Sequence, residues 1–446
     1  MSMGGVKGKY ELWNKLIERY TYLKKVADAI AKSNENFLLE AAFLGIILDY
    51  YKSLYNAETN KIPIVLTNAG IPVEFSYAAK LFPLLQEMGT NLLAGAGSQN
   101  HLNYIDFAEK MGIPMENCNN IKIWIGAMIQ DITPRPDIII YADFPCDSTT
   151  IEWQIIKNYW RVPTFAFDVP YWHYDKTNEF YDEKTLPYYV SQLKEMIKFI
   201  EKNTHTIITF DKLKESFERS NQARNYILEI QELLRAKPNP LNSDISYTLY
   251  LTILTSGGLP GKPVEYMKMV RDKAIYNYKR KVSAISERYE GKEEKYRCFW
   301  TCMPVYFDPL TFTWMEERFQ ISTVMNMMGN QIAQPVDTTS EESLLTDLSK
   351  NILNLPMGRQ LRGPLEYLLD DIIRTIKEYQ VDFCIWGGHI ACKQSWGIAN
   401  LVKQLVQERI GVPTLIFEVD DLDGRVVTSR SIKKTIRDFV KNVLEG

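Results

Sequence analysis

Apolar residues recur at threes and fours through YELWNKLIERYTYLKKVADAI and ENFLLEAAFLGIILDYYKSL, which predicts helices over about the first 55 residues. IPIVLTNAG is then a short β-type run ending at Gly70. Pro72 and Glu74 open a segment, VEFSYAAKLFPLLQEM, whose spacing predicts one continuous helix, with proline tolerated in the first turn. From residue 100 the pattern alternates. NYIDFAEKMG reads as a helix, Cys118 follows in a loop, and IKIWIGAMIQ is a helix or buried run. The strand DIIIYAD ends at Pro145–Asp147, the helix STTIEWQIIKNYW follows, and TFAFDVPYW is the next strand.

Residues 182–236 read as long helices, and a further helical stretch runs from 244 to about 290 after the PNPLNSD boundary. KYRCFWTCMPVYF, FQISTVMNM, VDFCIWGG and GVPTLIFEVD are candidate strands of a second β/α set, with DDIIRTIKEYQ, LVKQLVQERI and SIKKTIRDFVKNVL as helices. QIAQPVDTTSEESLL reads as a long loop. Apolar strands alternating with helices predict parallel sheets covered on both faces, with the ligand crevice at the carboxyl ends of the strands. The expected architecture is α/β. Residues 1–60 form an N-terminal helical region and 61–181 a first α/β domain. Residues 182–291 form a helical link and 292–446 a second, similar α/β domain.

At 446 residues and 46% hydrophobic, the chain can bury more than one core. Its 52 basic and 55 acidic residues nearly cancel and form no long block, which argues against nucleic acid as a partner. The N-terminal stretch lacks the apolar core of a secretory signal, and no run reaches the length of a membrane span, so a cytoplasmic protein is expected. Neither GxGxxG after a strand nor GxxxxGK[ST] occurs, so any nucleotide hydrolysis would come from a separate partner.

Six cysteines, at 118, 146, 298, 302, 384 and 392, are too few for a disulfide scaffold, and no CxxC occurs among them. Spacing alone leaves buried thiols and a metal site both open. Cys298 and Cys302 lie on one candidate strand, on the same face but roughly 13 Å apart, too far for one iron. Cys384, inside VDFCIWGG, reads as a core residue.

The segments AEKMGIPMENCNN and PRPDIIIYADFPCDSTTIEWQIIKNYWRVPTFAFDVPYW, followed by FCIWGGHIACKQSWG and GVPTLIFEVDDLDGR, resemble the 2-hydroxyacyl-CoA dehydratase and benzoyl-CoA reductase family. They run in the family's order from about residue 60 to the end, and the likeness is taken to be nearest its dehydratase alpha-type subunit. The resemblance implies a [4Fe–4S] cluster held by Cys118, Cys146 and Cys392, with one iron left open. A related branch carries a double-cubane [8Fe–9S] cluster with further cysteines. Glu74 matches an early family carboxylate near the substrate, and His389, three residues before Cys392, is a candidate proton donor. Lys393 and Gln394 could hold a phosphate or the acyl carbonyl. Asp168 and Tyr171 stand at a strand end, where an aspartate can also simply fix a turn. Asp420, Asp423 and Arg425 are expected to pair with one another or to position the cluster loop.

By the same resemblance, a separate ATP-hydrolysing iron–sulfur activator delivers single low-potential electrons. The CoA-thioester substrate is reduced to a ketyl radical and loses water from (R)-2-hydroxyacyl-CoA, within a dimer with a homologous second subunit or with itself. The chain reads HIACKQSW where the family's dehydratases often carry arginine or serine before the Cys-Lys pair and a proline-serine segment after it. That departure leaves room for a benzoyl-CoA reductase-type subunit; the six cysteines keep a double-cubane reductase open, and the family's pairing of two subunits of one fold leaves a non-catalytic scaffold subunit as a further alternative.

Overall fold

The computed structural model describes residues 7–95, 100–144, 146–169, 185–330, 334–355, 357–358 and 363–446. Pro145, Pro170 and Tyr171, singled out in the sequence, lie outside the described residues, as does the start of the segment expected as a long loop.

Two four-stranded parallel sheets organise the chain. The first joins β1 (Ile64–Thr67), β2 (Phe82–Leu85), β3 (Ile138–Ala142) and β4 (Thr164–Phe167) in the order β2-β1-β3-β4. The second joins β5 (Tyr296–Trp300), β6 (Ile321–Asn326), β7 (Phe383–His389) and β8 (Thr414–Val419) in the equivalent order β6-β5-β7-β8. Helices cover both faces of each, which is the α/β architecture expected from the apolar runs. Alternate residues feed opposite layers: Ile64, Leu66 and Ile139 pack toward the N-terminal helices, while Val65, Ile138 and Ile140 pack toward helix Thr185–Thr204. In the second sheet Cys384 and Trp386 enter one core, and Cys298, Trp300 and Ile385 enter the other.

The N-terminal helices Lys7–Ser33 and Leu38–Thr59 cap the first sheet's edge. Tyr50 accepts from the Leu85 N–H at 3.1 Å and donates to the Pro83 carbonyl at 3.2 Å, so the exposed backbone of β2 is satisfied from a side chain. Helix Phe210–Leu234 docks on the second sheet through Arg297 of β5, which is fully buried. Its guanidinium donates to the carbonyls of Leu234, Ala236 and Tyr379 and to Glu294, and this full set of partners is what makes a buried cation tolerable.

Three local expectations differ. The predicted helix from Val73 stops after Glu74–Ala78, because Lys80 takes a left-handed φ of 59°, and the following Phe82–Leu85 forms the edge strand β2. Pro83 is compatible with an edge position, where no ladder N–H is lost. The expected long loop ends early, since Ser340 and Ser343 form a reciprocal cap that starts helix Glu341–Leu353. Finally, β5 ends at Trp300, so Cys302 lies beyond the strand and does not share it with Cys298.

Candidate functional site

In both sheets the strand order switches sides between the two parallel central strands, and the crevice beyond their carboxyl ends is where α/β proteins bind ligands. The two crevices face one another across a single cleft. Cys118, Cys146, Cys302 and Cys392 line it together with His389, Asp421, Glu87 and Glu152. Cys298 and Cys384 are in the strand cores and do not reach it.

Cys118, Cys146 and Cys392 share one local geometry: each is the N-cap residue of a helix, respectively Asn119–Ile129, Asp147–Trp160 and Lys393–Trp396. Backbone N–H groups of each first turn face the sulfur and favour its charged form. Burial works the other way and dominates, raising all three thiols, Cys392 to about 12; Asp421 adds to this at Cys118 and Asp147 at Cys146, while ionisation of Cys392 is also opposed by that of the neighbouring thiols Cys302 and Cys146.

Each loop is pinned. Lys122, almost fully buried, donates to Glu109 at 2.8 Å and to the Met115 carbonyl at 3.0 Å, fixing the turn before Cys118. Cys146 Sγ lies 3.3 Å from the Thr149 hydroxyl. Gly388 is required before Cys392, because a Cβ there would stand 1.8 Å from the Trp396 ring that closes the short helix. Lys393 and Asp147, each the residue after a cleft cysteine, form an exposed 3.2 Å ion pair that ties the two sheets' loops together. Gln394 lines the cleft. Cys302 Sγ is 3.3 Å from the Ser395 hydroxyl.

His389 is buried at the end of β7, with Nε2 3.4 Å from Cys118 Sγ. Its Nδ1 faces Asp421 at 3.2 Å and Asp420 at 3.4 Å. These three residues form a candidate metal-binding group, with one ligand atom from each within 4.8 Å of the others. Sequence spacing does not single out this cluster, although Asp421 stands beside Asp420 in EVDDLDGR. Burial raises Asp421 to about 6, against the pull of His389. Asp420 accepts from the Leu422 and Asp423 N–H groups and from Asn119, linking the β8 loop to the helix that Cys118 caps. Arg425 pairs with Asp423 and also with Asp106.

Glu74 does not line the cleft. It borders an adjoining cavity, paired with Arg224 at 2.9 Å and accepting from the Ser220 hydroxyl. Asp168 is held by Gln192 and Tyr188 of helix Thr185–Thr204, also away from the cleft lining. Glu87 and Glu152, absent from the sequence-level candidates, do line it. Glu152 shares the buried face of its helix with Thr149, Trp153, Ile156 and Trp160, a spacing legible in the sequence.

Fold and site together define a two-sheet α/β protein that presents helix-capping thiols and a histidine–carboxylate group to one cleft. Residues 68–443 match the model of the 2-hydroxyglutaryl-CoA dehydratase, D-component family, and the chain belongs to that enzyme family. It is similar to a benzoyl-CoA reductase subunit of Thauera aromatica, 20% identical over 433 residues that cover 93% of this chain and 97% of that protein. It is also similar to the alpha subunit of (R)-2-hydroxyglutaryl-CoA dehydratase of Acidaminococcus fermentans, 20% identical over 310 residues, 69% of this chain and 60% of that protein.

These likenesses correct two expectations: kinship nearest the dehydratase alpha-type subunit, and radical dehydration of 2-hydroxyacyl-CoA as the main reaction. The matched family is that of the D-component, and the match to the reductase subunit covers 93% of this chain and 97% of that protein, whereas the match to the dehydratase alpha subunit leaves two fifths of that protein uncovered. Among the described residues, no helix is long and apolar enough to cross a membrane.

Proposed function

We propose that this chain is the iron–sulfur subunit of a benzoyl-CoA reductase-type acyl-CoA reductase, with Cys118, Cys146 and Cys392 as ligands of a [4Fe–4S] cluster. The observation that carries the reading is the convergence of three helix-capping thiols on one cleft, in a chain similar to a reductase subunit over nearly its whole length. The donor set fits the group: three thiols whose ionisation burial opposes converge on one cleft, and bound iron supplies the positive charge that favours their thiolate form. When bound, such a cluster supplies single low-potential electrons and one iron not ligated by these cysteines.

The chain's own residues do the rest. The two sheets bring the thiols together from three separate segments, and the Lys393–Asp147 pair holds two of those segments in register. His389 orients the Cys118 sulfur and is positioned to hydrogen-bond the thioester oxygen or to give it a proton. Glu74, fixed by Arg224, supports the β1 loop from the neighbouring cavity. The methionine and leucine side chains of the cleft, among them Met303, Met327, Met328 and Leu251, exclude water from an acyl group. In this reading the chain works with a homologous second subunit, or a second copy of itself, and receives electrons from a separate ATP-hydrolysing iron–sulfur activator.

Anaerobically purified protein given a strong one-electron reductant, with benzoyl-CoA or a 2-hydroxyacyl-CoA as substrate, tests the reading. Formation of a dearomatised thioester from benzoyl-CoA alone is the expected result. Turnover of neither thioester by protein that carries its full complement of iron contradicts it.

A further inference from the structure

One wall of the cleft carries two carboxyl side chains that have no lysine or arginine partner among the described residues. Glu152 projects from helix Asp147–Trp160 and is 1% exposed. Its Oε1 is fully buried without a hydrogen-bond partner. Glu87 comes from helix Gln86–Gly95 and accepts from the Ala69 N–H at 3.2 Å. Both line the same cleft as the three helix-capping cysteines. The other titratable groups facing it are Tyr250, Tyr306, His389, Asp421 and the cysteine thiols, and no lysine or arginine is among its described lining residues.

Two carboxyl groups that line one cleft, one of them buried without a hydrogen-bond partner and neither with a cation among the described lining residues, cannot both stay ionised at small cost. The contrast with Glu74 is direct, because that buried carboxylate has Arg224 beside it. We infer that Glu152 and Glu87 hold a proton between them at the wall of the cleft, and that Glu152 is the proton donor to the bound acyl group. This rests on the reductase reading above. In the step, an aroyl thioester takes one electron from the low-potential iron–sulfur electron donor and one proton from the Glu152 carboxyl. A ring C–H bond forms, the Glu152 O–H bond breaks, and Glu152 is left as carboxylate. Glu87 then relays a proton from solvent to restore it. Burial acts in the required direction on both, raising Glu87 to about 7 and Glu152 well above the ordinary range, with Glu87 adding to the effect on Glu152. The arrangement is that of an acid kept neutral by its surroundings until a developing negative charge calls for the proton.

The test compares anaerobically purified wild type with Glu152→Gln, which keeps the shape and removes the proton, and with Glu87→Gln. Infrared spectra at neutral pH should contain a protonated-carboxyl C=O stretch that is lost in Glu152→Gln and displaced in Glu87→Gln. With iron content unchanged, kcat for benzoyl-CoA should fall at least about a hundred-fold in Glu152→Gln while KM stays near wild type. A wild-type spectrum without the band, a band untouched by Glu152→Gln, or wild-type kcat in that variant would each overturn the inference. Should the wild type not reduce aroyl thioesters at all, the reductase reading fails, and the proton-donor role fails with it, whereas the infrared band still decides whether the pair holds the proton.

Discussion

The two sheets end differently although they are built alike. Their strand orders are equivalent, and the loop after the third strand of each delivers a cysteine to the N-cap of the next helix, Cys146 after β3 and Cys392 after β7. Beyond the first strand they diverge. Asn68 follows β1 and bonds both backbone groups of Ala142, whereas Cys302 follows β5 and meets Ser395. The polar groups also separate: Glu87 and Glu152 belong to the first sheet's side, His389, Asp420 and Asp421 to the second. A repeated framework thus places thiols at matching points, while the chemistry around them is specialised on each side.

Substitutions can break this comparison or sharpen it. The largest effect is expected from Arg224→Leu, which strands the Glu74 carboxylate in the interior beside the first sheet and should destabilise the fold by roughly 3–5 kcal/mol in urea denaturation. A Glu74→Gln, Arg224→Leu double variant should recover part of that loss. On the second sheet's side, Gly388→Ala forces Trp396 off its seat and should cost about 1–3 kcal/mol while displacing the Cys392 loop.

The unpaired carboxylates predict a pH dependence. Burial raises the Glu87 carboxyl from 4.5 to about 7, so the folded chain holds this proton more tightly than the unfolded one. Its contribution to stability is therefore complete below about pH 4.5 and is lost as the pH rises through about 7. Glu87→Gln should flatten the stability profile across that window, which urea denaturation of cluster-free protein at several pH values would reveal. The smallest effect belongs to Lys393→Ala. Its ion pair with Asp147 is exposed, so no more than about 1 kcal/mol is at stake, and less at high salt.

Much of this fold is legible in the sequence because the central strands are short apolar runs bounded by turn residues. IPIVLTNAG and DIIIYAD contain β1 and β3, and VDFCIWGG contains all of β7 but its last residue, His389. β2 is hard to read, since Phe82–Leu85 continues an apolar helical spacing; Pro83 is the one signal against a continuous helix, and the left-handed Lys80 that ends it carries no sequence mark of its own. Helix Glu341–Leu353 is concealed by an unusual Ser340–Ser343 cap in place of the familiar serine–glutamate pair. For the site, family resemblance singles out Cys118, Cys146 and Cys392, but their common N-cap geometry exists only in three dimensions. Glu152 lies on a visibly buried helical face. That no described lysine or arginine lines the cleft beside it is a tertiary property, as is the presence of Arg224 beside Glu74, which comes from a helix 150 residues away.

The central claim is that thiols at matching ends of the two sheets hold one cluster while the strand-core thiols do not. Iron and acid-labile sulfide, determined on anaerobically reconstituted wild type, Cys146→Ala, Cys392→Ala and Cys298→Ala, test it most directly. About four irons and four sulfides per chain in the wild type and Cys298→Ala, with loss in both Cys146→Ala and Cys392→Ala, is the predicted result. Iron retained in full by Cys392→Ala, or lost from Cys298→Ala while that variant remains folded, would contradict it.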